Sequence, residues 1–321
     1  MYAIRVHQFG EAGVLKWERV PDPTPQAGQI LIDVKAAGVN PVETYIRRGI
    51  YGAKEFPYTP GSDGAGIVEE IGAGVSGVTV GQRVYISKTL TGTYAEKALC
   101  PANGVHALPN QLNFQQGAGV GTPYATAYYA LNLRAHARAG ETVLVHGATG
   151  GVGLAAVQLA RTAGLTVIGT GGSERGRALV KSEGAHHVLD HHAKDYLDDV
   201  KNRITAGKGV DLILEMLANV NLAKDLPVLA MNGRVIVIGS RGSIEITPRD
   251  TMARNSDIRG MSLMHMSDLE RTAIHAALGA GLENNSLRPV VGKEFSFEDA
   301  AKAHVEVIEG KAFGKIVLAQ R

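Results

Sequence analysis

A single cysteine, Cys100, and a single tryptophan stand in a chain of 321 residues. One thiol excludes an internal disulfide and any four-cysteine structural zinc site. A dominant charge sign is also missing. Lys and Arg number 33 against 31 Asp and Glu, so the formal net charge is only +2. A dedicated nucleic-acid binder would carry a basic field, and nucleic acid is therefore not expected as the main partner. No apolar run is long enough to span a bilayer, and no charged-then-apolar leader precedes the first strand. The expectation is a soluble, cytoplasmic protein. Glycine, in contrast, is abundant at 40 residues. That exceeds the usual share of roughly seven per cent and suits a fold with many tight strand-to-helix turns.

The most informative run is Thr142 to Ala160. It opens with a short apolar, β-branched segment, as in a strand buried on both faces. A glycine cluster follows, then an alanine-rich stretch with helical spacing. The cluster reads Ala148-x-Gly150-x-x-Gly153, a dinucleotide fingerprint with alanine at the first glycine. Its positions supply a tight turn, close backbone approach to a pyrophosphate, and tight packing of helix on strand. A helix starting near Val152 would aim its unpaired N–H groups at the phosphates.

The next strand, Leu165 to Thr170, ends where an NAD site usually places an acid for the ribose hydroxyls. Here Gly171, Gly172 and Ser173 follow, with Arg175 and Arg177 just beyond. A hydroxyl and guanidinium groups suit a 2′-phosphate, and Glu174 is expected to point outward. NADP(H) is the cofactor expected.

In chain order, segments from Met1 to Ala98 read as short strands separated by glycine turns, an antiparallel or barrel-like domain. After Pro109 the pattern changes. Phe114–Gly119 and Thr126–Leu133 read as helices. Strands at Val143–His146, Thr166–Thr170, Val188–Asp190, Val210–Glu215, Arg234–Gly239 and Ile258–Met261 then alternate with helices. Six strands with crossovers is the count of a doubly wound Rossmann sheet. The tail beyond Met261 has no place in that sheet and is expected to return to the first domain. The expected division is 1–123, 124–266 and 267–321, with the outer two pieces forming one domain.

Several runs resemble the zeta-crystallin-type quinone oxidoreductase branch of the medium-chain dehydrogenase/reductase superfamily. They are Ala37–Arg47, Pro57–Asp63, Leu144–Ala148, Glu215–Leu222, and Gly239–Gly242 through Pro248–Ala253. The resemblance covers essentially the whole chain and implies an α/β fold, a Rossmann sheet plus a GroES-like, β-rich catalytic domain. Zinc alcohol dehydrogenases of the superfamily carry cysteine where this chain has Asn40, and Gly-His-Glu where it has Gly61-Ser62-Asp63. Asn40 and Ser62 cannot supply the soft or imidazole ligands of a catalytic zinc, so metal-free chemistry is expected. Without a Lewis acid, hydride passes only to an acceptor that is already electron-poor, a quinone or an enone.

Read from residues alone, Tyr45 is equally a packed aromatic and Asn40 equally a turn residue satisfying its own backbone. The resemblance implies that both lie beside the nicotinamide, as catalytic or binding groups. It also implies cofactor contacts for Thr126, for Thr149, Gly150, Gly151 and Val152 at the pyrophosphate, and for Gly172 and Ser173 at the adenosine ribose. Arg175 or Arg177 and His191 would meet the adenosine phosphate. Asn221, Ile238, Gly239, Ser240 and Arg241 follow the fourth and fifth strands. Met261, Ser262 and Leu263 would end the sixth, although the methionines there read equally as core filler.

The function implied is zinc-independent transfer from NADPH to a quinone in a cleft between the two domains. An alkenal or enone double-bond reductase stays open beside it, as does an NADPH-binding structural or RNA-binding protein. The edge Ile258–Leu263, with Arg259 as its only charge, is expected to pair with its twin in a homodimer or homotetramer.

Overall fold

Alternating apolar positions in the first hundred residues and near-continuous apolar runs after Thr142 build two kinds of sheet. The computed structural model describes residues 1–311 and 313–320. Its strands are β1 (Tyr2–Val6), β2 (Leu15–Arg19), β3 (Gln29–Val39), β4 (Asp63–Ile71), β5 (Arg83–Ile86), β6 (Lys97–Pro101) and β7 (Val105–Ala107). They continue with β8 (Thr142–Val145), β9 (Thr166–Thr170), β10 (His187–Leu189), β11 (Val210–Glu215), β12 (Leu229–Val237), β13 (Asp257–Gly260), β14 (Val291–Ser296) and β15 (Lys315–Ala319). The chain divides into two units, Met1–Pro123 with Asp268–Arg321, and Tyr124–Ser267.

In the first unit, β14-β15-β3-β4-β5-β7 form one sheet, with β6 also paired to β3. The tail enters it through β15, antiparallel to β3. Ile4, Ile30, Ile32, Ile86, Tyr94 and Leu318 fill the core beneath. Among the short strands expected in this region, β4 begins at Asp63. Gly64 and Gly66, which read as turn residues, lie inside it. A Cβ at Gly66 would sit 2.0 Å from the Asp33 carbonyl oxygen, so glycine marks a close backbone approach beside a bulge, not a turn. β6 begins at Lys97, and Ala95 before it makes only an isolated bridge to Ala3.

The second unit is the expected doubly wound sheet, all parallel, in the order β10-β9-β8-β11-β12-β13. Leu144, Ile168, Ile213 and Val235 are fully buried in its core. The helix expected at Thr126–Leu133 starts earlier, at Gly121, and widens into π-type turns over Tyr129–Arg134. The sixth strand stops at Gly260, so Met261, Ser262 and Leu263 lie beyond it. Its edge also carries a second charge. Asp257 belongs to the strand and pairs with Arg259 at 2.6 Å. Among the described residues no helix is long and apolar enough to cross a membrane.

Candidate functional site

The glycine cluster lies at the carboxyl end of β8. Gly147 takes φ +57°, and Gly150 is the N-cap of the helix Gly151–Thr162 with no side-chain capping bond. The first N–H groups of that helix therefore lack a side-chain cap at the positive end of its dipole. A Cβ at Gly153 would meet the Gly147 carbonyl oxygen at 2.4 Å and Ala148 Cα at 2.5 Å. The third glycine thus sets how closely helix packs on loop, and the cradle fits a pyrophosphate.

At the tip of β9, a Cβ on Gly172 would meet the Nε2 atoms of His192 and His191 at 2.6 and 2.8 Å. This brings Gly172, Ser173, His191 and His192 together. Ser173 caps the helix Glu174–Ser182, its hydroxyl accepting from Gly176 N–H at 3.2 Å. Glu174 is exposed. Arg177 donates to the Gly171 carbonyl and, at 2.7 Å, to Asp190. The tip of β9 has no acid of its own, but Asp190, just past β10, holds that guanidinium in place.

Three buried titratable groups went unnoticed in the sequence. His146 follows β8, Glu215 ends β11, and Asp225 ends the helix Ala218–Asp225. His146 Nε2 lies 2.8 Å from Asp225 Oδ1 and 3.5 Å from Glu215 Oε2. Burial alone would lower the imidazole pKa, but the charge and hydrogen bond of Asp225, with the charge of Glu215, raise it instead. Glu215 Oε1 accepts from the Leu217 N–H and, at 3.2 Å, from Asn221 Nδ2. Asn221, expected at the cofactor, is thus tied to this cluster. The signal was available as a histidine and a glutamate at the carboxyl ends of two largely apolar strands.

Ile238 and Gly239 donate their N–H groups to the Glu215 carbonyl, and Arg241 N–H donates to Asn219. Ser240 and Arg241 are exposed, Thr126 and Thr149 are buried, and Val152 is half-buried. Met261 N–H donates to the Val237 carbonyl, and Ser262 caps the short turn Leu263–His265.

In the first unit a second polar network is built around Asn40. Its backbone N–H and Nδ2 both donate to Glu43, and Nδ2 also donates to Asp63 at 2.9 Å. Lys315 Nζ donates to Asn40 Oδ1 at 2.5 Å and to Asp63 Oδ2 at 3.1 Å. Asp63 Oδ1 accepts from the Thr122 N–H and hydroxyl. Tyr94 donates to Glu43 at 2.7 Å. Burial pushes the Glu43 carboxyl up, Lys315 pulls it part of the way back, and Asp63 adds to the rise. The donor set does not fit a catalytic zinc. Neither position 40 nor 62 offers sulfur or imidazole, and an ammonium already sits among the oxygens. Tyr45 lies half-buried on the helix Pro41–Arg47.

Two domain families match. The one described as alcohol dehydrogenase GroES-like domain covers residues 26–110, and the one described as zinc-binding dehydrogenase covers 151–278. A quinone oxidoreductase of Homo sapiens is 51% identical over 321 residues, 99% of this chain and 97% of the relative. The chain belongs to the zeta-crystallin-type quinone oxidoreductases of the medium-chain dehydrogenase/reductase superfamily. A quinone oxidoreductase of Rattus norvegicus is 52% identical with the same coverage of both chains. A mycobacterial protein solved in complex with NADPH superposes with a TM-score of 0.91 at 31% identity, covering all of both chains.

Proposed function

We propose that this chain oxidises NADPH with a quinone as acceptor, in the cytosol and without zinc. The observation that carries the reading is half-identity along the whole chain to quinone oxidoreductases. The glycine cradle after β8 supports the cofactor half of it. Bound NADPH supplies a hydride to an electron-poor carbon. The chain's own part is to hold and orient. Thr149, Gly150, Gly151 and Val152 line the pyrophosphate, the first-turn N–H groups of the helix donating to it while the Gly150 N–H is kept by the Gly147 carbonyl. Ser173, Arg177, His191 and His192 gather around the adenosine ribose and its 2′-phosphate, with Arg175 on the same helix.

Tyr45 contacts the acceptor. Asn40 is a positioning residue, because its amide is already engaged by Glu43, Asp63 and Lys315. A quinone needs no metal to polarise it, so orientation and exclusion of water suffice. Steady-state NADPH oxidation with a panel of quinones and enones tests the reading. Turnover of quinones is expected. Turnover confined to enones, or NADPH binding without turnover, overturns it.

Two further outcomes follow from these residues. The Arg175→Ala/Arg177→Ala variant should lose roughly 10- to 100-fold in kcat/KM for NADPH, the loss of about 1.5–3 kcal/mol of charge-assisted contact. NADH should change little. Equal use of NADH by the wild type would remove the NADP(H) preference. Chelator should leave activity unchanged, and metal analysis should find no stoichiometric zinc.

The exposed edge strand β13 is proposed to pair with its twin across a two-fold axis, giving a homodimer or a doubled tetramer. The Asp257–Arg259 pair within the strand leaves it no net charge to discourage that pairing. Light scattering that gives a monomer mass for active protein would contradict it.

A further inference from the structure

We propose that NADP(H) binding by this chain takes up a proton, held between Glu215 and Asp225 at the point where β8 and β11 end side by side. The inference rests on the NADP(H) reading above. In the order β10-β9-β8-β11-β12-β13 the chain runs outward from β8 in one direction and then restarts at β11. These two strands flank the topological switch point, where open α/β sheets bind ligand. His146 closes one and Glu215 the other.

The cluster has an unbalanced hydrogen-bond account. Glu215 and Asp225 are both 0% exposed. Glu215 Oε2 and Asp225 Oδ2 are each buried without a hydrogen bond among the described residues, His146 Nε2 standing 3.5 Å from the former. Buried carboxylate oxygens do not stay unpartnered without cost. A proton on Glu215 donated to the Asp225 carboxyl makes a hydrogen bond that two ionised carboxylates cannot make.

A cation is the competing occupant, since the three side chains bring donor atoms within 4.8 Å of one another. Two donors on one zinc at tetrahedral angle stand about 3.4 Å apart. His146 Nε2 and Asp225 Oδ1 are 2.8 Å apart, which is hydrogen-bond spacing.

Charge then links this proton to the dinucleotide. Ionised, Glu215 adds one negative charge to the cluster relative to its protonated form, beside His146 at the foot of the cradle for an anionic ligand. The surrounding groups do not compensate. Tyr196, its ring edge-on to His146 at 6.3 Å, is kept neutral by burial, and Asp225 and Glu215 hold it further that way. His191 is lowered by desolvation first, then by His192. Asn221 and the Leu217 N–H are neutral donors. Burial first, and then Asp225 against the opposing pull of His146, pushes the Glu215 carboxyl up to about 7. An anionic ligand at the cradle favours the protonated carboxyl, so where the free protein has lost this proton the ligand restores it. By linkage, NADPH affinity falls up to about tenfold per pH unit in that range. The cofactor's own phosphate, with a pKa near 6, is already fully ionised there.

Calorimetry of NADPH binding near pH 8, in two buffers of different ionisation enthalpy, counts the protons. The wild type is expected to take up about half a proton or more per NADPH. Glu215→Gln should abolish the uptake and His191→Gln should keep it. No uptake by wild type that binds NADPH, uptake retained in E215Q, or uptake lost in H191Q each overturns the proposal. So does one equivalent of metal per chain that E215Q fails to retain. If circular dichroism shows E215Q unfolded, uptake in both the wild type and H191Q supports the proposal, and its absence from either refutes it. A wild type that binds no NADPH even near pH 6.5 would remove the NADP(H) reading itself, and this inference with it.

Discussion

Lys315→Met is expected to lower the unfolding free energy by about 3–5 kcal/mol, read as a shift of the urea midpoint. Methionine keeps most of the aliphatic stem, so little packing is lost. What goes is the cation. Lys315 is 5% exposed and Asp63 0% exposed, and the ammonium lies 3.1 Å from the Asp63 carboxylate. Without it that carboxylate stays buried with only neutral donors, Asn40 and Thr122, and Asn40 Oδ1 loses its donor. A buried charge left unpaired costs more than the pair contributes. The Lys315→Met/Asp63→Asn double variant should therefore recover part of the loss, a coupling of about 1–3 kcal/mol in a double-mutant cycle. Strict additivity of the two changes would show that the ion pair is not the cause.

The sequence gives little hint of that pair. Lys315 opens an apolar strand in the tail, where a lysine normally reads as a solvated strand end. Its partners, Asn40 and Asp63, are hundreds of residues away. The pairing becomes visible only when β15 docks antiparallel on β3, which sets Ile316 opposite Val39. The Rossmann sheet was far more legible, because β8, β9 and β11 are apolar runs of the length a doubly buried strand needs. Glycine misled at Gly64 and Gly66, since the same residue serves a turn and a tight strand crossing. The glycine loop after β8, and Ser173 and Arg177 just past β9, could be placed from the sequence because each position depends on local chain order. His146, Glu215 and Asp225 meet from three separate elements, and no local spacing announces them. Asn40 was found, yet its engaged amide was not foreseeable, because its partners Asp63 and Lys315 come from β4 and β15.

Gly153→Ala should cost about 1–3 kcal/mol in stability and about a hundredfold in kcat/KM for NADPH. The added Cβ would lie 2.4 Å from the Gly147 carbonyl oxygen and 2.5 Å from Ala148 Cα. Both are backbone atoms, so no rotamer change relieves the clash. Either the helix Gly151–Thr162 or the glycine loop must move. That motion withdraws the N–H groups at its first turn from the phosphates they would meet. Alanine is otherwise the better helix former, so propensity works against the expected loss. Gly279→Ala isolates that term. Gly279 sits inside the helix Asp268–Glu283 with nothing within 4 Å of a built Cβ. There the same substitution should stabilise by about 0.5–1 kcal/mol and leave NADPH titrations unmoved. Opposite signs at the two positions, by chemical denaturation and by NADPH fluorescence titration, would tie the cost at Gly153 to contact between helix and loop. A Gly153→Ala protein that binds NADPH as tightly as the wild type would show that the dinucleotide does not depend on this cradle.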